Sequence, residues 1–239
     1  MTINLKNVKT VILCGGLGTR IFEETKTKPK PMIKIDNKPI LSHILNIYQK
    51  YGFNNFLLAT GYKGKVIKNY FKKNKNNNII AIDTGARTMT GGRLLRLKKY
   101  FKKDENFMVT YGDGLSNQDL KKLYNYHLSH GKIATITAVR PPARYGELTL
   151  KNSRVKKFEE KPIVTKSWIN GGFLVFNAKI FNFIKDDKTI LEKTPLEILS
   201  KKGELMAFKH NGFWQCMDTM QDKKYLSTIL KDKKAPWKT

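Results

Sequence analysis

The stretch TVILCGGLGTRIFEETKTKPKPM, residues 10–32, runs from apolar residues through Gly15, Gly16 and Gly18 into a row of cations. Glycines at the carboxyl end of a strand let backbone N–H groups come close to a phosphate. Arg20 follows two residues after Gly18, and Lys30 stands ten residues further on, between Pro29 and Pro31, which stiffen its approach. A glycine loop with two fixed cations suits a triphosphate. It is neither of two common phosphate loops. Ile21 replaces the third glycine of G-x-G-x-x-G, and no G-K-[ST] follows. Downstream, YGDG (111–114) sets Asp113 just past the apolar run FMVTY. Ligands of open α/β sheets bind beyond the carboxyl ends of strands. Asp113 is therefore placed where a Mg²⁺ would join it to a nucleotide phosphate.

The elements that must carry these residues follow from apolar runs of strand length: 10–14, 55–60, 79–83, 107–111, 132–139, 172–176 and 205–208. Helix-length patterns lie between the early ones, at 39–52, 65–73, 91–101 and 117–131, the last with Asn117 as cap and Gly131 at its end. Strand and helix in alternation give a mostly parallel sheet covered on both faces, an α/β fold. After residue 140, ARYGELTL and SRVKKFEEKP alternate polar and apolar residues, as in a small antiparallel region added to the sheet. No linker or repeat divides the 239 residues, so a single domain, 1–239, is expected. KKNKNNN (72–78) reads as an exposed turn.

Composition narrows the class. With 40% apolar and 11% aromatic residues the chain can bury a real core. No run approaches the roughly 20 apolar residues of a membrane span, and the opening MTINLKNVKTVIL lacks a signal-peptide layout, so a cytoplasmic protein with no membrane partner is expected. Cys14 and Cys216 have no CxxC spacing, which argues against a disulfide framework or a zinc site. The net charge of +27 would draw polyanions, yet only seven of 46 basic residues are arginine and the lysines are spread along the chain. That distribution reads as solvated faces with some attraction for phosphorylated ligands, not as a nucleic-acid surface.

GGLGTR, KPKPM, DNKPI, YGDG, EEKP, NGGF and FWQCMDT, in that order, resemble the sugar-1-phosphate nucleotidylyltransferases. Within them the likeness is greatest to the branch that joins a cytidylyl group to glucose 1-phosphate, and it runs from about residue 8 to the terminal APWK. The resemblance implies a Rossmann-like three-layer sandwich with a nucleotide-binding half over about 1–140 and a sugar-phosphate half over about 141–239. It implies Mg²⁺-dependent transfer of CMP from CTP to glucose 1-phosphate, giving CDP-glucose and pyrophosphate. Another acceptor phosphate or another NTP is the alternative, and a homo-oligomer is expected.

Carried over by motif, Leu13, Gly15, Gly16, Gly18 and Thr19 wrap the nucleotide, and Arg20 and Lys30 act on its phosphates. Asp113 of YGDG and Asp218 of MDT match the two metal ligands. TGARTMTGGRL (84–94) matches the base-recognition segment, with Thr90, Gly91 and Gly92 offering backbone groups to a pyrimidine. RYGEL, EEKP and NGG match the sugar-phosphate side through Gly146, Glu160, Lys161, Asn170 and Gly171. One departure stands out: the family carries a longer segment where only KKNKNNNIIAI separates Phe71 from Asp83.

The chemistry fits these residue types. A sugar phosphate is already anionic near neutral pH, so its oxygen attacks without a general base, and the task is positioning and charge stabilisation. No histidine or serine triad is expected. His43 reads as structural, His127 and His130 as cations suited to a helix C-terminus, Cys14 as a small buried residue, and Phe213 and Trp214 as core.

Overall fold

The computed structural model describes residues 4–73, 78–141, 145–160 and 167–238. Its strands are β1 (Lys9–Cys14), β2 (Lys34–Ile35), β3 (Lys38–Pro39), β4 (Asn55–Thr60), β5 (Ile79–Asp83), β6 (Asn106–Tyr111), β7 (Gly114–Ser116), β8 (Ala134–Val139), β9 (Glu147–Lys151), β10 (Arg154–Glu159), β11 (Ile169–Asn177), β12 (Leu205–His210) and β13 (Trp214–Cys216). The helices are α1 (Phe22–Thr25), α2 (Ile40–Lys50), α3 (Gly64–Lys73), α4 (Thr90–Arg96), α5 (Leu120–His130), α6 (Thr194–Lys201) and α7 (Met220–Lys231). Each apolar run of the sequence has become a strand.

Seven strands form the central sheet in the order β12-β8-β11-β6-β1-β4-β5. All neighbours are parallel except β11, which runs antiparallel to both β6 and β8. The alternation of side chains along β1 shows how both faces are buried. Ile12 and Cys14 join a core with Ile44 and Tyr48 of α2, Leu123 of α5 and Leu226 of α7. Val11 and Leu13 join a second core with Leu94 of α4 and Leu199 of α6. The result is a mixed, mostly parallel sheet between two helical layers.

Two local expectations change. The small antiparallel region expected after residue 140 is present, but β9 and β10 pair with each other as a separate ribbon and not with the central sheet, which β11 and β12 join instead. The pairs Leu148–Phe158 and Leu150–Val155 leave an exposed apolar face there, so alternation alone did not reveal which surface it would meet. Asp119, not Asn117, caps α5, its carboxylate accepting from Lys122 N, while Gly131 ends the helix in left-handed backbone as expected. Within KKNKNNN, residues 74–77 lie outside the described residues.

Candidate active site

The glycine loop leaves β1 between β4 and β6, the strands that flank it in the sheet. Gly18 takes left-handed backbone, φ 68°, and a Cβ there would lie 2.7 Å from Thr25 Cγ2, so the turn into the cations requires glycine. From there the chain passes through α1 to a tight turn at Lys30–Met32, where Met32 N donates to Pro29 O at 2.8 Å. This turn delivers the Lys30 side chain, buried, to the edge where β6 ends. Pro31 packs against Gly112, one residue before Asp113.

Asp113 and Asp218 meet through backbone pairing. β7 and β13 pair antiparallel with Gly114 opposite Cys216, and Met217 N donates to Asp113 O at 2.9 Å. The sequence distance of 105 residues therefore closes to adjacent strand ends. Asp222 fixes the second carboxylate's backbone: its Oδ2 accepts from Asp218 N at 3.0 Å and from Thr219 N at 2.8 Å, within the capping box that starts α7.

Lys30 Nζ lies between the two aspartates, 2.6 Å from Asp113 Oδ2 and 2.7 Å from Asp218 Oδ1. Arg20 Nη1 reaches Asp218 Oδ2 at 2.8 Å. Burial disfavours the Lys30 charge, but Asp113 and Asp218 overcome it and hold its pKa above the ordinary value. Burial likewise opposes ionisation of Asp218, and Lys30, then Arg20, bring its pKa below the usual carboxylate range. Lys30 and Asp218 are both charged at neutral pH. The cluster pairs two cations with two carboxylates, so the positive charge is balanced, not free.

A cleft of about 370 Å³ opens beside this cluster. Its walls include Leu13, Gly15, Gly16, Gly18, Thr19, Arg20, Lys30, Thr90 and Asp113, all expected from the sequence, together with Arg93 and Tyr111, which were not singled out. Arg93 is buried and forks into the turns around the loop. Its Nη1 donates to Gly85 O at 2.7 Å, Thr84 Oγ1 at 2.9 Å and Thr60 O at 3.1 Å, and its Nη2 to Gly15 O at 2.9 Å. It ties the first glycine to the ends of β4 and β5. Glu192 was missed as well, although Thr90 and Tyr111 both bond to it.

Gly91 and Gly92 do not take the part expected of them. Both N–H groups donate to Thr189 O, at 3.0 and 3.2 Å, and are not available to a base. A Cβ on Gly92 would stand 2.5 Å from Asp187 Cα, so these glycines let α4 pack tightly against the 187–191 segment. Of the residues expected on the acceptor side, Asn170 accepts at Oδ1 from Gly172 N at 2.9 Å. Gly171 O accepts from Trp214 Nε1 at 2.7 Å, which makes Trp214 a half-buried brace for this strand, more than core filling. Gly146 lies beside Glu160 at the base of the ribbon, where a Cβ on the glycine would stand 2.9 Å from Glu160 Oε2. Lys161 lies outside the described residues.

The remaining expectations divide. Cys14 is buried, and burial pushes its thiol up. His43 is buried against Trp237. His127 is no helix-terminal cation: burial, then His130, pull its pKa down to about 4. His130 is pulled down too, first by burial.

Two aspartates already sharing a cation fit a hard divalent ion, whose other positions water and phosphate oxygens fill. Among the described residues no group of three or more His, Cys, Asp or Glu is gathered to hold a metal. The donor set therefore suits an ion that arrives with a phosphate, not a closed cage.

The family model described as "Nucleotidyl transferase" matches residues 9–232. The glucose-1-phosphate cytidylyltransferase of Salmonella typhimurium is 46% identical over 255 aligned residues, covering 97% of this chain and 99% of that protein. The mannose-1-phosphate guanyltransferase of Aspergillus oryzae is 32% identical over 230 residues, covering 92% of this chain and 63% of the relative. Among solved structures, HddC from Yersinia pseudotuberculosis superposes with a TM-score of 0.72 at 27% identity, covering 93% of this chain and 99% of that one.

Proposed function

The chain belongs to the nucleotidyl transferase family, and we propose that it moves CMP from CTP to glucose 1-phosphate, releasing pyrophosphate and forming CDP-glucose. The observation that carries this reading is the Lys30 ammonium held between Asp113 and Asp218 at the mouth of the glycine loop. The choice of base and acceptor rests on the 46% identity over nearly the whole chain.

The loop from Gly15 to Thr19 offers the triphosphate its backbone, and Arg93 keeps that loop against the sheet. Lys30 and Arg20 exchange carboxylate oxygens for phosphate oxygens, and the buried Lys30 charge is already desolvated and aimed when the nucleotide arrives. Mg²⁺, held by Asp113 and Asp218, would supply compensating charge to the phosphates. The acceptor's phosphate oxygen forms a bond to the α-phosphorus while the bond from α-phosphorus to the bridging oxygen breaks, and the electron pair leaves with pyrophosphate. No proton need be removed from the acceptor, in keeping with a site built from lysine, arginine and aspartate.

The test is pyrophosphate release in Mg²⁺, crossing CTP, UTP, dTTP, ATP and GTP with glucose 1-phosphate and other sugar phosphates. The highest kcat/KM is expected for CTP with glucose 1-phosphate. A clear preference for another pair would replace the named substrates and keep the chemistry.

A further inference from the structure

Three side chains from distant parts of the chain meet behind the cleft wall. Thr90 opens α4, Tyr111 ends β6, and Glu192 comes from the segment before α6. Thr90 and Tyr111 line the cleft. Thr90 Oγ1 donates to Glu192 Oε2 at 2.6 Å, and the Tyr111 hydroxyl donates to Glu192 Oε1. A carboxylate offers only acceptors, so each hydroxyl commits its single proton to it. Thr90 Oγ1 also accepts from Leu191 N at 2.9 Å. One lone pair is all that the Thr90 hydroxyl has left for a ligand.

We propose that Glu192 is a specificity-determining residue for the nucleotide base. By holding the Thr90 proton it turns a group that can donate or accept into an acceptor alone. Cytosine carries an exocyclic amino donor where uracil carries a carbonyl acceptor. A cleft wall that only accepts therefore favours cytosine and opposes uracil, because two acceptors facing each other leave both unpaired. The inference rests on the cytidylyl reading above, with Thr90 on the base side. Glu192 acts through Thr90 and is a positioning residue.

The test compares kcat/KM for CTP and UTP, with glucose 1-phosphate, in wild type, Glu192→Leu, Glu192→Gln, Thr90→Val and Thr90→Ser. Glu192→Leu frees the Thr90 proton to face the cleft, and the CTP:UTP preference is expected to fall at least roughly tenfold. Thr90→Val should lose the preference to a similar extent, and combining it with Glu192→Leu should add nothing further. Thr90→Ser should keep it. Glu192→Gln releases one of the two hydroxyl protons and stands in if melting followed by circular dichroism shows Glu192→Leu unfolded. Equal losses on CTP and UTP in the Glu192 and Thr90→Val variants would reduce Glu192 to a brace and overturn the inference alone. A wild-type enzyme that prefers a base other than cytosine would overturn both readings.

Discussion

Strand β6 begins and ends in a buried polar cluster, and the two clusters handle burial in opposite ways. At its start, Asn106 Oδ1 meets His127 Nε2 at 3.3 Å and accepts from Asn177 Nδ2 at 2.9 Å. His127 Nδ1 and His130 Nε2 both bond to Thr135 Oγ1, at 2.9 and 2.8 Å. Just past its end, Lys30 bridges Asp113 and Asp218. Burial penalises the charged form of Lys30 as it does that of His127. The histidine, with no carboxylate among its described hydrogen-bond partners, stays neutral and its polar atoms are satisfied by Thr135 and Asn106. The lysine keeps its charge because two carboxylates hold it, and carboxylates can be exchanged for phosphates. Burial alone makes a structural network; burial with exchangeable counter-charge makes a site.

The largest break in that contrast comes from Lys30→Met. Removing the ammonium leaves the buried Asp218 and the half-buried Asp113 without their shared partner and takes a preformed cation from the phosphates. We expect pyrophosphate release to fall by about a hundredfold to a thousandfold, with the folded state retained by circular dichroism. A loss of less than about tenfold would mean that Lys30 is only a counter-ion for Asp113 and Asp218.

The neutral cluster should instead announce itself in acid. His127 titrates near 4 in the folded protein and near its ordinary 6.5 when unfolded. Between those values the unfolded chain binds the extra proton, so the contribution to stability is complete above about 6.5 and is lost as pH falls toward 4. The loss is on the order of 3 kcal/mol. Urea midpoints for wild type and His127→Gln, taken at pH 7 and pH 4.5, check it: the difference between the two proteins should shrink or reverse in acid. Parallel declines would show that His127 is not the group that responds.

Much of this was legible from residue order. Apolar runs such as TVILC and FMVTY were long enough, and regular enough, to become strands, and the glycine loop, Lys30 and Asp113 sit next to strand ends that fix their place. What escaped reading depends on long-range partners. Glu192 stands 102 residues from Thr90 and 81 from Tyr111, and nothing near it in sequence hints at two hydroxyls. Arg93 was one more basic residue in a lysine-rich chain until four acceptors gathered around it. Gly91 and Gly92 were misassigned because a glycine that admits a ligand and one that admits a neighbouring segment are identical in sequence. The ribbon β9–β10 has the alternation of an edge strand, and only the folded chain shows that it pairs with itself.

Arg93 sharpens the contrast by supplying a third solution. It is a buried cation, and burial draws its pKa down from the ordinary guanidinium value, yet the partners within hydrogen-bond reach are carbonyls and a hydroxyl, not a carboxylate. Its charge is spread over three carbonyl dipoles and Thr84, which only a planar fork can reach together. Arg93→Lys keeps the charge and loses the fork. If geometry matters more than charge here, this conservative change should cost about 2 kcal/mol of stability, the worth of one or two hydrogen bonds to a charged group. It should also raise KM for the nucleotide more than it lowers kcat, since the released Gly15 carbonyl loosens the phosphate loop without touching Lys30 or the aspartates. Urea unfolding and steady-state kinetics on one preparation read both effects. Wild-type stability in Arg93→Lys would show that the charge alone suffices, and would put Arg93 with Lys30 as a cation placed for the phosphates instead of for the loop.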